Sequence, residues 1–416
     1  MTSGERIPVP VPAGAGDPAL ATTFHATVVG VDRPGITARL FGALAQTQVV
    51  DVEQVVVAGQ LVLGAVVLAA PGAGPALLAG IRAAVPDVDV AVRHVHATDV
   101  AGAPVTCTVT IVGRAITGQD VAALAGVIAA DGSNITRIDR VADYPVTALA
   151  LEVAAAEPDR LRRDLAARRA LLGVDVAVRP HGLSRRGTHL VVMDVDSTLI
   201  QDEVIELLAR FAGREAQVRA VTEAAMRGEL DFAASLHARV AELAGLPATV
   251  IDEARAQVRL TPGARTLCRT LKRLGYRIAL VSGGFTEVIA PIAEQLGVDA
   301  VRANGLEVVD GHLTGRVRGP VIDRAAKAAA LREFAAEFGI PAARTVAIGD
   351  GANDLDMLAA ADHGIAFNAK PVVQAAADTA LNVPYLDTVL YLLGISREEV
   401  EQADALADAE ALSPWA

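Results

Sequence analysis

The sequence predicts an α/β protein: two small βαββαβ modules in tandem, then a doubly wound parallel sheet that carries a helical cap. Three observations predict it. Strand-period and helix-period patterns alternate in the order βαββαβ from residue 21, and the same order returns about 80 residues later. Beyond residue 187 the apolar runs become strands separated by helices, as a parallel sheet requires.

Taken in order, residues 1–20 are Pro/Gly-rich and read as a disordered lead. In the first module, residues 21–98, Phe24 to Gly30 is a strand and Ile36, Leu40 and Leu44 recur at helical spacing. Val49–Val57 and Leu61–Leu68 flank Ala58-Gly59-Gln60, a hairpin signal. A small-residue helix over 75–84 and a strand over 88–95 complete the unit. The second module, residues 103–180, repeats this with strands at 106–112, 135–141, 147–153 and 174–178, and helices at 121–128 and 161–171. Residues 180–186 form a linker to the larger domain, 187–396, with strands at 188–192, 276–281 and 345–348 and a strand pair within 300–313. Between its first two strands lie about 75 residues with helical patterning only. An insertion of that length after a first strand is a cap over a site, at about 202–262. Residues 397–416 are a tail rich in Ala, Glu and Asp.

Composition narrows function. The chain has 416 residues, is 52% hydrophobic with 3% aromatics, and carries a formal net charge of −12. That acidity argues against a nucleic-acid partner, which needs a basic face. No run approaches about 18 strongly apolar residues, so no membrane span is expected. No signal segment is visible, and Cys107 and Cys268 stand far apart, as buried thiols do in a reducing cytoplasm.

The chemistry-bearing residues stand at strand ends. Met193-Asp194-Val195-Asp196-Ser197-Thr198 closes the first strand, and alternation puts Asp194 and Asp196 on one side of it. Two adjacent carboxylates call for a cation, and hard oxygen donors suit Mg²⁺. Val281-Ser282-Gly283-Gly284 closes the second strand, with a hydroxyl and free amides suited to an anion. Ile348-Gly349-Asp350-Gly351-Ala352-Asn353-Asp354 closes the last, and Lys327 opens a helix just before it. Each motif alone also fits an ordinary turn or a solvated charge. Together, at three strand tips where this architecture binds ligands, they make an active site.

These residues resemble the haloacid dehalogenase superfamily, and within it the phosphoserine phosphatases, whose motifs match Asp194-x-Asp196-x-Thr198, Ser282, Lys327 and Gly349-Asp350-x-x-x-Asp354 in order. The resemblance implies Asp194 as nucleophile and Asp196 as acid, then base. It implies Mg²⁺ held by Asp194, the carbonyl of Asp196 and Asp350, with Asp354 behind. Ser282, Gly283 and Lys327 would hold the phosphoryl oxygens, with Asn353 nearby. Glu203 would meet the serine ammonium and Arg239 its carboxylate, beside the apolar cap contacts Met226 and Phe232. The implied reaction is hydrolysis of O-phospho-L-serine, the last step of serine biosynthesis.

The tandem modules resemble ACT domains, ferredoxin-like units that often bind amino acids. Gly30-Val31-Asp32-Arg33-Pro34-Gly35-Ile36 carries that likeness, with Asp32 and Gly35 as effector residues. The second copy, Val112-Gly113-Arg114-Ala115-Ile116-Thr117-Gly118, lacks the aspartate and the Pro-Gly step; Asn134 could still contribute. L-serine or another amino acid as effector, and a homodimer through these modules, are the expectations. Two rivals remain: a capped phosphatase for another monoester, and an amino-acid sensor with an inactive catalytic half.

Overall fold

The computed structural model describes residues 21–96, 103–168, 172–182, 187–226 and 231–411, with backbone alone at 223–226 and 408–411. The lead at 1–20, most of the linker, the side chain of Met226 and residues 412–416 lie outside the described residues. The chain divides into two units, 1–104 and 105–416.

The first unit holds β1 (Thr22–Val31), a helix over Ile36–Ala43, β2 (Gln48–Val57), β3 (Gln60–Ala69), a helix over Gly74–Ala84 and β4 (Asp89–His94). The antiparallel sheet runs β2-β3-β1-β4. Val57 pairs with Gln60, so the hairpin loop is Ala58-Gly59 alone, both at positive φ (49° and 78°), the twist a two-residue hairpin needs. Gln60, expected in the turn, is therefore the first residue of β3. One face of the sheet is core: Phe24, Ala26, Val28, Leu61, Leu63 and Val67 pack against Ile36, Leu40 and Ile81. On the other face Val29, Val31, Val55, Val57 and Val62 are exposed, because β1, β2 and β3 put them on one side and both helices of this unit pack on the other.

The second unit begins with the same topology. Strands β5 (Cys107–Gly113), β6 (Asn134–Ala142), β7 (Thr147–Ala154) and β8 (Asp175–Pro180) run in the order β6-β7-β5-β8, with helices over Gly118–Ala130 and Pro158–Ala167. Its outer sheet face is not open. Val112, Ala148 and Ala177 join the core of the larger domain together with Leu386, Val389 and Leu392. The edge is pinned as well: Asp175 accepts from the backbone and side-chain nitrogens of Asn382 at 2.6 and 2.7 Å, and Arg162 pairs with Asp378 at 3.2 Å.

The larger domain has seven strands in the order β12-β11-β10-β9-β13-β14-β15: β9 (Leu190–Met193), β10 (Arg277–Phe285), β11 (Ala300–Val309), β12 (His312–Arg318), β13 (Thr345–Gly349), β14 (His363–Phe367) and β15 (Thr379–Leu381). All pairs are parallel except β11 with β12. Alternate residues face two layers: Val191, Met193, Leu280 and Ile348 on one side, Val192, Ala279, Val281 and Ala347 on the other. β14 and β15 were not expected; both are short and lie among small residues. The cap comprises helices over Val204–Ala212, Glu215–Met226, Phe232–Ala241 and Thr249–Gln257. Its two connections pair as Ile200 with Leu260, and Asp202 grips Arg259 at 2.7 Å. The presumed tail is a helix over Arg397–Ala411, held to the helix Ala264–Arg273 by Asp404 against Arg269 and Arg273. Among the described residues no helix is long and apolar enough to cross a membrane.

Candidate active site

β9 and β13 are neighbours at the centre of the sheet, with Met193 opposite Ile348. Their tips therefore release Asp194 and Asp350 side by side. The chain stays extended through Asp194, whose N–H donates to Ile348 O at 2.9 Å, and through Asp196 (ψ 131°). It then turns at Ser197, which sits at φ 58°, a conformation a residue with a Cβ adopts only when its surroundings enforce it. Thr198 closes the turn by donating to Asp350 Oδ1 at 3.0 Å.

Beneath the tips lies a buried charge cluster. Lys327 Nζ donates to Asp194 Oδ1 and to Asp354 Oδ1, both at 2.7 Å. Lys327 and Asp354 are fully buried and Asp194 is 3% exposed. Asp323 caps the lysine's helix, accepting from Ala326 N at 2.8 Å. Burial works against the Lys327 charge, but the Asp194 and Asp354 carboxylates outweigh it and its pKa rises. Burial pushes the Asp194 carboxyl well up, Asp354 adds to this, and Lys327 opposes it. Burial and then Asp354 push Asp350 up to about 6.

One oxygen from each of Asp194, Asp350 and Asp354 lies within 4.8 Å of the others. Three carboxylates against one lysine leave excess negative charge in a buried place, and all the donors are oxygens. That set fits a hard divalent cation. Asp354 already spends Oδ1 on Lys327 and Oδ2 on the N–H of Gly351 at 3.0 Å, so it suits a place behind the cation. Asp194 and Asp350 are the better direct ligands.

Asp196 is held apart from this cluster. Its Oδ1 accepts from Val204 N at 2.8 Å and its Oδ2 from Ser282 Oγ at 3.0 Å. Burial raises its pKa, while those two hydrogen bonds and Lys327 lower it. The Asp196 carboxylate is not part of the three-carboxylate group. Gly284 lets the carboxylate in: a Cβ there would stand 2.8 Å from Asp196 Oδ2. At Gly283 a Cβ would meet Phe232 Cζ at 3.1 Å, so the cap lays an aromatic ring directly on the anion loop.

At the mouth, Glu203 accepts from Ser197 Oγ at 2.9 Å and stays open to solvent. Protein packed around it, then the Asp196 and Asp350 charges, push its carboxyl up to about 7. Arg239 projects from the helix Phe232–Ala241, beside and not within the buried stripe of Ser235, Leu236 and Val240. Burial lowers its pKa, and Glu203 and Asp196 raise it in return, so the guanidinium shares their cleft. Asn353 stands at the β13 tip with its amide oxygen over Gly351. Asp32 and Gly35 are exposed in the first unit, at the turn from β1 into the first helix, where Gly35 takes φ 91°. Two features escaped sequence reasoning: the Asp202–Arg259 clasp of the cap hinge, and Asn304 beside the anion loop. The only signal for Asn304 is a polar residue at the buried centre of a strand whose ends are half-buried or exposed.

Fold and site define a haloacid dehalogenase-like hydrolase, and that family's profile matches residues 191–359. ACT-domain profiles match residues 22–94 and 105–179. The chain is 58% identical over 395 residues to a phosphoserine phosphatase of Streptomyces coelicolor, covering 93% of this chain and 95% of that one. It is 52% identical over 388 residues to a phosphoserine phosphatase of Mycobacterium tuberculosis, covering 91% and 95%. The crystal structure of a probable phosphoserine phosphatase from Vibrio cholerae, unliganded, aligns over 72% of this chain and 89% of its own, with 32% identity and a TM-score of 0.56. The chain belongs to the phosphoserine phosphatase family.

Proposed function

We propose that the chain hydrolyses O-phospho-L-serine to L-serine and phosphate, with Asp194 as nucleophile and Asp196 as the proton carrier. The observation that carries these roles is the unequal treatment of the two carboxylates. Asp194 sits against the ammonium of Lys327 at 2.7 Å, a partner that favours its anionic form against the burial that raises its pKa. Among the described residues Asp196 has no lysine within hydrogen-bond distance, and burial, the largest influence on it, favours its protonated form, which suits it to hold a proton and hand it on.

In the first step an Asp194 oxygen bonds to phosphorus and the bond to the seryl oxygen breaks, while Asp196 gives that oxygen its proton. In the second, Asp196 takes a proton from water, the resulting hydroxide oxygen bonds to phosphorus, and the bond to Asp194 breaks. Lys327, Ser282 and the amides of the Gly283 loop stabilise the phosphoryl oxygens, with Asn353 beside Gly351 at the neighbouring strand tip. Mg²⁺, held by Asp194, the Asp196 carbonyl and Asp350 with Asp354 behind, would neutralise the charge that otherwise repels a carboxylate from a phosphate dianion. Glu203 and Arg239 present opposite charges to the serine ammonium and carboxylate.

The test is phosphate release from O-phospho-L-serine and from a panel of other monoesters, with Mg²⁺ and with chelator. Mg²⁺-dependent turnover highest on phosphoserine supports the assignment. Preference for another ester would keep the mechanism and overturn the roles of Glu203 and Arg239.

Regulation is a second proposal. L-serine, or another amino acid, binds at Asp32 and Gly35 of the first ACT module, and two copies associate through these modules in the cytoplasm, where buried Cys107 and Cys268 stay reduced. The exposed turn at Asp32 supports the first point, and the uncovered valines of β1–β3 the second. Asp32→Ala should abolish any serine inhibition exerted through the module at unchanged uninhibited rate; inhibition equal to that of the parent would remove Asp32 from the role.

A further inference from the structure

The anion loop is a break in the sheet. β10 and β11 pair regularly to Val281 opposite Arg302 and resume at Phe285 opposite Asn304. Ser282, Gly283 and Gly284 thus bulge out where β11 has only Ala303. Their backbone groups lose their ladder partners, and a buried carbonyl without a partner is costly. The Asn304 side chain replaces the missing strand. Its Nδ2 donates to Gly283 O at 2.7 Å, and its Oδ1 accepts from Ile322 N at 2.9 Å, one residue before the Asp323 cap of the Lys327 helix. Asn304 is fully buried.

Gly283 O and Gly284 N–H belong to one peptide unit. Asn304 fixes its carbonyl end, and its N–H end donates to Ser282 Oγ at 2.8 Å. That leaves the hydroxyl hydrogen for Asp196 Oδ2, 3.0 Å away. The orientation of the serine hydroxyl is therefore set from Asn304 through a single rigid peptide plane. The other arm of the same carboxamide anchors the segment that delivers Lys327.

We propose that Asn304 is a positioning residue for phosphoryl transfer: its carboxamide locks the Gly283–Gly284 peptide, and with it the Ser282 hydroxyl, and registers this loop against the start of the Lys327 helix. It touches neither substrate nor reacting atoms. The inference rests on the reading of Ser282 and Lys327 as phosphoryl-binding groups.

Asn304→Asp retains the acceptor for Ile322 N and removes the donor to Gly283 O. In the Mg²⁺-loaded full chain, kcat should fall about 10- to 100-fold, equally on O-phospho-L-serine and on a plain phosphate monoester, as expected when one buried hydrogen bond behind an aligned group is lost. The inhibition constant of inorganic phosphate should rise about tenfold or more, while the ratio of KM values for the two esters stays put, because the cap is untouched. Asn304→Ser, which leaves room for a water in place of the amide, is read the same way should the aspartate variant not fold, and activity is referred to folded protein by thermal melting. A kcat and a phosphate inhibition constant both within about twofold of the parent, per folded molecule, would overturn the proposal. So would a loss confined to phosphoserine. A parent chain inactive on phosphoserine would instead count against the proposed function, and phosphate binding by parent and variants would still decide this point.

Discussion

At the floor of the site Asp194, Ser282, Lys327 and Asp354 are at most 3% exposed, and each side chain has a hydrogen-bond partner fixed by a strand tip or a helix start. At the mouth Glu203 and Arg239 keep contact with solvent and belong to the cap and its hinge, joined to the sheet through the paired segments at Ile200 and Leu260. The floor is preorganised and dense in charge, so its groups bear on the transferring phosphoryl whatever the ester. The mouth is more open and lies in the cap, so under the proposed function its groups bear on which ester enters. Under the proposed function, that difference assigns chemistry to the sheet and selectivity to the cap.

Substitutions on the two sides should separate cleanly, and the floor should show the larger effect. Lys327→Met should lower kcat about 10²- to 10³-fold on every monoester alike. It should also destabilise the fold by about 3 kcal/mol in denaturant titration, since two buried carboxylates lose their partner. A loss limited to phosphoserine would erase the distinction.

Arg239→Ala comes next. kcat/KM for O-phospho-L-serine should fall about 10- to 100-fold, mostly through KM, with little change for a monoester lacking the carboxylate. Equal losses on both esters would move Arg239 to the floor. Glu203→Gln should have the same selectivity at about tenfold, and steady-state kinetics on the two esters measures both.

The smallest effect concerns protons. Without metal, Asp350 titrates near 6, and its folded pKa lies above the unfolded one. The folded metal-free protein therefore holds a proton that the unfolded chain has released, and this group's contribution to stability is lost as pH rises toward 6. A divalent cation needs that carboxylate ionised. The stabilisation on adding Mg²⁺, read from the melting temperature, should therefore grow by up to about 1.4 kcal/mol per pH unit for each proton displaced as pH rises from about 5, and level off above about 6. A shift independent of pH would place the cation away from Asp350.

Much of the floor was legible because it is local. Asp194 follows directly after one strand and Asp350 after another, with Asp354 at the helix beyond. Asp196 lies in the turn past the strand and its carboxylate is outside the three-carboxylate group, so strand alternation does not account for it. What escaped depends on pairings far apart in sequence. Asn304 acts on Gly283 and Ile322, and Asp202 on Arg259, and no periodicity records such contacts. The strands β14 and β15 were missed because five- and three-residue runs among small residues carry little pattern. The two ACT modules share a topology legible in their repeat. The burial of the second module's outer face against Leu386–Leu392 was not, since exposed and docked faces of an antiparallel sheet can both be lined by valine, alanine and threonine.

The most direct measurement is to mix Mg²⁺-loaded enzyme in excess with O-phospho-L-serine, quench in acid within the first turnover, and map the peptides by mass spectrometry. One phosphoryl group should appear on the peptide containing Asp194, with L-serine released in equal amount, and Asp194→Asn should neither carry it nor release phosphate. A phosphoryl group on another residue, or turnover that persists in Asp194→Asn, would contradict the assignment of Asp194 as the nucleophile.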